Sequence, residues 1–144
     1  MGTRDAALAR RAAEQHGILT AVQAEELGLT TRQVQLRIED GTLIRLHRGV
    51  YRHAGAPETP STDTVAAVLA CGGGAVASHR SAGRHWRLRH VPRWRPEVTV
   101  PGTSRPAVAG VVIHRTDTLE APDVAADEAL PVTSVARTLL DLGS

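Results

Sequence analysis

The basic charge of this chain comes from arginine alone, because none of its 144 residues is lysine. That absence excludes several lysine-dependent sites. The glycine run at 72–74 lacks the lysine of a phosphate-binding loop, and a nuclease site of two acids and a lysine cannot form in its usual version. No nucleophile elbow or metalloprotease motif occurs either. We therefore predict that the chain is not an enzyme and needs no cofactor.

Cysteine and aromatic residues are nearly absent: there is one cysteine, Cys71, with two tryptophans, one tyrosine and no phenylalanine. A single cysteine excludes an intramolecular disulfide, and the core must be aliphatic. The start of the chain has no apolar run of the signal-peptide kind, and no segment approaches the roughly 20 apolar residues of a membrane span. These absences predict a cytoplasmic protein that does not enter a membrane.

Metal-binding spacings are absent as well. Zinc sites typically have closely paired histidines and cysteines. Cys71 and four histidines show no such spacing: His79, His85, His90 and His114. The sequence therefore predicts no metal site.

Acidic residues are scarce in the middle of the chain and abundant at its end. Between Thr64 and Arg115 there are eight arginines and one acid, whereas from Thr116 to Ser144 there are one arginine and six acids. Such an asymmetry favours a polyanion or an acidic partner for the middle segment.

Two copies of a helix-capping signature stand ten residues apart, at 20–23 and 30–33. In each, a threonine hydroxyl can accept from the backbone N–H three residues later, while a glutamine reaches back to the threonine's own N–H. Gly28 separates the segments that they open. The pattern predicts helices over about 21–27 and 31–40, which together form a helix-turn-helix.

The flanking segments complete a winged unit over residues 1–53. A helical pattern covers 5–16, and two strands are predicted at 43–46 and 50–52, joined by the tight turn His47-Arg48-Gly49. Residues 54–60 are rich in turn formers and predict a linker.

Residues 61–144 are predicted to form a small mixed α/β domain, which makes the fold class α+β. Ser61 and Thr133 are plausible caps for the first and last helices, and a further helix is predicted over 76–88. The apolar runs at 98–100 and 111–113 predict buried strands.

The second helix of the helix-turn-helix supplies the candidate DNA-reading residues. Val34 and Ile38 share one face and are expected to pack inward, so the opposite face and the wing point to the grooves. The predicted DNA-binding residues are Thr31, Arg32, Gln33, Leu36, Arg37, Arg45, His47, Arg48 and Arg52. Gln33 is ambiguous because capping competes with base contact.

A second basic surface is predicted along the 76–88 helix and the loop after it. Arg80, Arg84 and Arg87 fall at helical spacing, and an ordinary solvated helix face is an equally good interpretation. The full set is Arg80, Arg84, Arg87, Arg89, Arg93 and Arg95. Trp86 is expected to face the core and Trp94 to be partly exposed.

Several short segments follow one another in an order that is typical of one family. They are 17–20, 23–24, 27–30, 41–43, 45–46 and 49–51 in the first part, then 77–82, 98–101, 112–115, 131–133 and 136–142. In this order the chain resembles AbiEi-type antitoxins, from the type IV toxin–antitoxin systems of abortive infection, a form of phage defence.

This resemblance implies a winged helix that binds and represses the operon's own promoter, and a second domain that counters a nucleotidyltransferase toxin. Many relatives continue past the segment matching 131–142, some into a Vsr-like nuclease domain. The second domain is therefore expected to be truncated relative to them. The sequence gives no signal for the oligomeric state.

Two other interpretations stay open at this point. The winged unit can be a protein-interaction module that never touches DNA, which the acidic residues Glu25, Glu26, Glu39 and Asp40 close to the predicted footprint favour. Alternatively, the chain is the DNA-targeting fragment of a longer Vsr-like nuclease.

Overall fold

The computed structural model describes residues 3–88, 91–92 and 95–143. The chain divides into two compact units, Met1–Ala66 and Ala67–Ser144. Both contain helices and a sheet, which confirms the predicted α+β class.

The first unit contains three helices and a three-stranded antiparallel sheet. Its elements are α1 (Thr3–Ala13), β1 (Ile18–Thr20), α2 (Ala21–Glu26), α3 (Thr31–Glu39), β2 (Leu43–His47) and β3 (Val50–His53). The strand order is β1-β3-β2, so β2 and β3 form a hairpin. This is the predicted winged helix-turn-helix, with one short strand, β1, that the sequence pattern did not indicate.

Both predicted capping boxes are confirmed at the starts of α2 and α3. The hydroxyl of Thr20 accepts from the Gln23 N–H at 3.1 Å, and the Gln23 side chain accepts from the Thr20 N–H at 3.0 Å. Thr30 and Gln33 repeat the arrangement at 3.1 and 2.8 Å. Each box satisfies two backbone donors that a helix start otherwise leaves unpaired, which fixes where the helix begins.

The core of the first unit is aliphatic apart from Tyr51, in keeping with the few aromatic residues of the chain. Its largest members are Leu8, Leu19, Leu29, Val34, Leu43 and Tyr51. Val34 is buried and Ile38 packs against the same cluster, so the predicted inward face of α3 is confirmed. Burying an aliphatic side chain of this size contributes about 1.5–3 kcal/mol. These contacts hold α3 against the sheet with one defined face outward.

The segment 54–60, predicted as a linker, packs on the first unit. Ala56 is part of the buried cluster, Glu58 pairs with Arg52 at 3.1 Å, and the Thr59 hydroxyl lies 2.8 Å from His16 Nδ1. The division between the units falls later in the chain, within helix α4 (Thr62–Cys71). Turn-forming residues thus mark an irregular segment here, and its role as a linker between two domains stays a prediction.

His53 makes the stability of the first unit sensitive to acid. Its ring is buried, and its Nδ1 accepts from the Gly55 N–H at 3.0 Å, which requires a neutral imidazole. Burial lowers the pKa of His53 below 6.5, against a smaller raising effect of Asp5. The unfolded chain therefore takes up this proton at a higher pH than the folded chain does. The contribution of a neutral His53 to stability is complete well above pH 6.5 and is lost as the pH falls through 6.5 toward the lower pKa of the folded state.

We expect the urea midpoint to change little between about pH 8 and 7.5 and to fall between about pH 7 and 5.5. His53→Asn keeps an acceptor near the Nδ1 position and cannot be protonated, so its midpoint is expected to fall less over the same window. Burial also lowers the pKa of His47 and His79, so part of the wild-type fall persists in the variant. Identical pH profiles for the two proteins would contradict this role of His53.

The second unit is built on a mixed five-stranded sheet. Its strands are β4 (Val76–Ala77), β5 (Glu97–Pro101), β6 (Val112–Thr116), β7 (Val124–Asp127) and β8 (Leu130–Thr133). The order is β6-β5-β4-β8-β7; β5 pairs with β6 and β4 with β8 in parallel, and the other pairs are antiparallel. Its helices are α5 (His79–His85) and α6 (Val135–Leu142), with a short 3₁₀ turn at Ala121–Asp123.

Two helix predictions in this unit were wrong at their starts. Val76 and Ala77 belong to the buried central strand β4, where pairing with β5 and β8 overrides their helical pattern. The helix α5 covers only His79–His85. At the end of the chain Thr133 lies in β8, and Ser134 caps α6 by accepting from the Arg137 N–H at 3.2 Å.

Candidate nucleic-acid interface

Helix α3 presents one continuous exposed face. Thr31, Arg32 and Leu36 all lie on it, and 44% of the Leu36 surface is exposed although Leu36 is apolar. Gln35, which the sequence prediction did not include, lies on the same face. Its position three residues after Arg32 was the available signal, because residues three and four apart are neighbours on a helix surface. Arginine, glutamine and an apolar side chain are the groups that read base edges in the major groove.

Gln33 is held by its capping role. Its side-chain oxygen accepts from the Thr30 N–H at 2.8 Å. The capping bond is thus present in the structure, and a contact from Gln33 to DNA stays a prediction.

Arg37 links α3 to α1. Its guanidinium lies 2.8 Å from Asp5 Oδ1 and donates to the Gln33 carbonyl at 3.0 Å, and only 18% of its side chain is exposed. Among the described residues Arg32 has no such ion-pair partner. Arg37 therefore supports the orientation of α3, while Arg32 is the accessible cation of this helix.

The hairpin of β2 and β3 is the predicted wing, and its two-residue turn is Arg48-Gly49. Gly49 has φ +71°, a conformation that favours glycine. The Gly49 carbonyl accepts from the Ala21 N–H at 2.8 Å, which ties the wing to the start of α2. Arg45 and Arg48 are exposed. The wing thus carries two accessible cations in a fixed position relative to the helix-turn-helix.

The other two residues predicted for the wing, His47 and Arg52, are less accessible to DNA. Arg52 is half-buried and paired with Glu58 at 3.1 Å. Burial lowers the pKa of His47, more than Asp63 raises it, so its imidazole is neutral at neutral pH. A contact from His47 to phosphate would therefore be a hydrogen bond between a neutral group and an anion.

Of the four acidic residues predicted close to this surface, two lie at the far end of α3. Glu39 and Asp40 are both exposed at its C-terminal end. Hydrogen bonds from Thr42 lower the pKa of Asp40, so this carboxylate stays charged. Glu25 on α2 is exposed and lines the same cavity as Thr30 and Thr31, so an anionic group also lies beside the start of α3.

The predicted second basic surface is only partly a helix stripe. Arg80 and Arg84 lie on α5, whereas Arg87 lies beyond its end with φ +58°. Arg80 Nε is 3.9 Å from Glu97 Oε1. Arg95 is exposed, and the predictions for Arg89, Arg93 and Trp94 lie outside the described residues.

Trp86 follows α5 and is half-buried, and its indole N–H donates to the Thr133 carbonyl at 2.8 Å. The indole therefore connects the end of α5 to β8 within the second unit.

The elements of the first unit define a winged helix-turn-helix protein. The sequence of this unit also matches a known family. Residues 6–53 match the family model of the transcriptional regulator, AbiEi antitoxin. The resemblance predicted from the sequence is confirmed for these residues, and the match supports a role as a regulator or antitoxin.

The chain is also similar in fold to the RV2827C protein from Mycobacterium tuberculosis, whose crystal structure it matches with a TM-score of 0.63 and 15% identity. The match covers 99% of this chain and 60% of that one, so the chain spans about three fifths of that protein's length. No curated protein matches the sequence. Within the described residues, every helix is too short or too polar to cross a bilayer.

Proposed function

We propose that this chain is a DNA-binding transcriptional autorepressor and antitoxin of a type IV toxin–antitoxin system. The family match over residues 6–53 supports the broader role of regulator or antitoxin. The observation that carries the DNA-binding proposal is the exposed face of α3, with Arg32 and Leu36 accessible, next to a hairpin in the same unit whose Arg45 and Arg48 are exposed.

The exposed face of α3 suits the major groove of double-stranded DNA. A helix with its side chains is about 10–12 Å across, and the groove is about 12 Å wide. In this placement Arg32 reads guanine, Gln35 reads adenine and Leu36 contacts a thymine methyl group. The buried Val34 and the Arg37–Asp5 pair keep this face directed outward.

The wing supplies contacts to the DNA backbone. Arg45 and Arg48 pair with phosphates, which position the protein but carry no sequence information. The bond between Ala21 and Gly49 holds the wing against α2, so helix and wing meet the duplex as one body. Occupancy of the chain's own promoter then represses transcription without any chemical step.

The antitoxin role is assigned to the second unit. The resemblance gives this unit a nucleotidyltransferase toxin as its partner, and the exposed arginines Arg87 and Arg95 offer a basic surface for that toxin or for flanking DNA. This assignment rests on the family pattern and on charge.

The experiment that tests DNA binding is a titration of labelled DNA from the region upstream of the gene at several salt concentrations. The logarithm of the affinity is expected to fall linearly with the logarithm of the salt concentration, by about 0.9 per phosphate contact. Arg48→Ala is expected to reduce that slope by about 1 and to weaken binding to upstream and scrambled DNA equally.

Arg11→Ala is the matched control, because Arg11 belongs to α1, outside α3 and the β2–β3 hairpin, and pairs there with Glu14. Its slope is expected to equal that of the wild type. Affinity that does not respond to salt or to Arg48→Ala would overturn the DNA-binding proposal and favour a protein-interaction module.

A further inference from the structure

Three side chains that are far apart in sequence come together in the second unit. His79 begins α5, Glu97 begins β5 and His114 lies in β6. The parallel pairing of β5 with β6 places Thr99 opposite His114 and Glu97 opposite Val112. Since alternate residues of a strand share a face, Glu97 and His114 lie diagonally across the same face of the sheet.

The ligand atoms of these three residues converge. His114 Nε2 lies 2.8 Å from Glu97 Oε2, the His79 and His114 rings stack with their centroids 3.7 Å apart, and one ligand atom from each residue lies within 4.8 Å of the others. We propose that His79, Glu97 and His114 form a binding site for one divalent transition-metal ion of the zinc class.

The donor set fits this ion. Zinc binds imidazole nitrogens and carboxylate oxygens at about 2.0–2.2 Å, and sites with three protein ligands, including two histidines and one glutamate, leave the fourth position for another ligand. Two donors on opposite sides of such an ion lie at most about 4 Å apart, so the three groups need only small side-chain movements. The ion would replace the hydrogen bond between His114 and Glu97.

The surroundings hold these ligands as a metal site requires. His79 Nδ1 lies 3.0 Å from Ser78 Oγ, which also accepts from the Thr99 hydroxyl at 2.6 Å. A partner on one ring nitrogen fixes the orientation of an imidazole and makes the other nitrogen the ligand. His79 also has φ +49°, and such unfavourable backbone conformations concentrate at functional sites. Glu97 is buried, and its carboxylate gains from a cation closer than Arg80, whose Nε lies 3.9 Å from Oε1.

Two of the three ligands, His79 and Glu97, line a cavity of about 350 Å³. Arg80, Arg95 and Asp141 also line it. Asp141 accepts from Arg137 at 3.0 Å and is therefore not counted as a ligand. The two arginines favour an anionic molecule at the fourth position of the ion, because their charges would complement it there.

The sequence predicted no metal site because that prediction rested on closely paired ligand spacings. Here each ligand comes from a different element, and only the pairing of β5 with β6 and the position of α5 bring them together.

The test is isothermal titration of the whole untagged chain with Zn²⁺, repeated with Co²⁺ and its visible absorption. We expect one ion per chain, and at least about 100-fold weaker binding in each of His79→Gln, Glu97→Gln and His114→Gln. Ser78→Ala, which removes the partner of the His79 ring and the acceptor of the Thr99 hydroxyl, is expected to weaken binding by about 10- to 100-fold.

His85→Gln is the matched control, because His85 lies on the same helix as His79 but pairs with Asp127. It is expected to bind zinc like the wild type. Circular dichroism identifies variants that fail to fold, and the Co²⁺ spectrum of the wild type then decides: histidine and carboxylate ligands give no thiolate band. Absence of binding, a thiolate band from Cys71, or equal loss in His85→Gln would overturn the proposal.

Discussion

Replacing Arg32 with alanine is expected to weaken binding to the chain's own upstream DNA by about 1–3 kcal/mol, or roughly 5- to 150-fold. The reason is that Arg32 is the exposed cation near the start of α3, where a recognition helix approaches base edges. The loss should be confined to one base position, so a DNA variant changed at that position should bind wild type and Arg32→Ala equally. Fluorescence anisotropy with a panel of single-base variants measures this directly.

The control for Arg32 is Arg37→Ala, because Arg37 follows on the same helix but pairs with Asp5. That variant is expected to lose stability and to bind all DNA sequences more weakly by the same factor. A uniform loss across all base variants for Arg32→Ala as well would show that Arg32 contacts phosphate, and no loss would remove it from the interface.

Replacing Leu8 with alanine is expected to destabilise the first unit by about 2–5 kcal/mol. Leu8 has no exposed surface and belongs to the cluster on which α3 packs, so its truncation removes apolar contacts and leaves a cavity. Small domains have only about 5–15 kcal/mol of net stability, which makes this a large fraction. Urea unfolding followed by circular dichroism gives the change in the free energy of unfolding.

Leu36→Ala is the matched control for Leu8, because it makes the same change at a residue that is 44% exposed on α3. We expect its stability to stay within about 0.5 kcal/mol of the wild type and its affinity for upstream DNA to fall. A loss of stability similar to that of Leu8→Ala would show that Leu36 belongs to the core and not to the DNA-facing surface.

The helix-turn-helix could be predicted because its signals are local. Each capping box lies within four residues, from Thr20 to Gln23 and from Thr30 to Gln33, and needs no distant partner. The inward face of α3 followed from the spacing of Val34 and Ile38 for the same reason. The accessibility of Arg37 could not be predicted, because its partner Asp5 lies 32 residues away.

The hairpin of β7 and β8 carries no usual turn signal. Its two-residue turn is Glu128-Ala129, with φ +50° and +60°, where hairpins usually place asparagine and glycine. The sequence pattern therefore showed no pair of strands there, and the helix start was predicted one residue early, at Thr133 instead of Ser134.

The cluster of His79, Glu97 and His114 is the extreme case of a non-local feature. Strands β5 and β6 are parallel, so a long connection separates the two ligands that they carry. No spacing rule within one sequence identifies such a set, and only the register of the sheet shows it.

Arginine modification of the chain with and without its upstream DNA tests the central claim most directly. Phenylglyoxal modifies arginine side chains, and mass spectrometry identifies which of them have reacted. Because the chain has no lysine, this reagent covers every basic side chain other than histidine. Bound DNA is expected to protect Arg32, Arg45 and Arg48 and to leave Arg11 as reactive as in the free protein. If Arg32 and Arg48 stay fully reactive while the DNA is bound, α3 and the wing are not the surface that binds it.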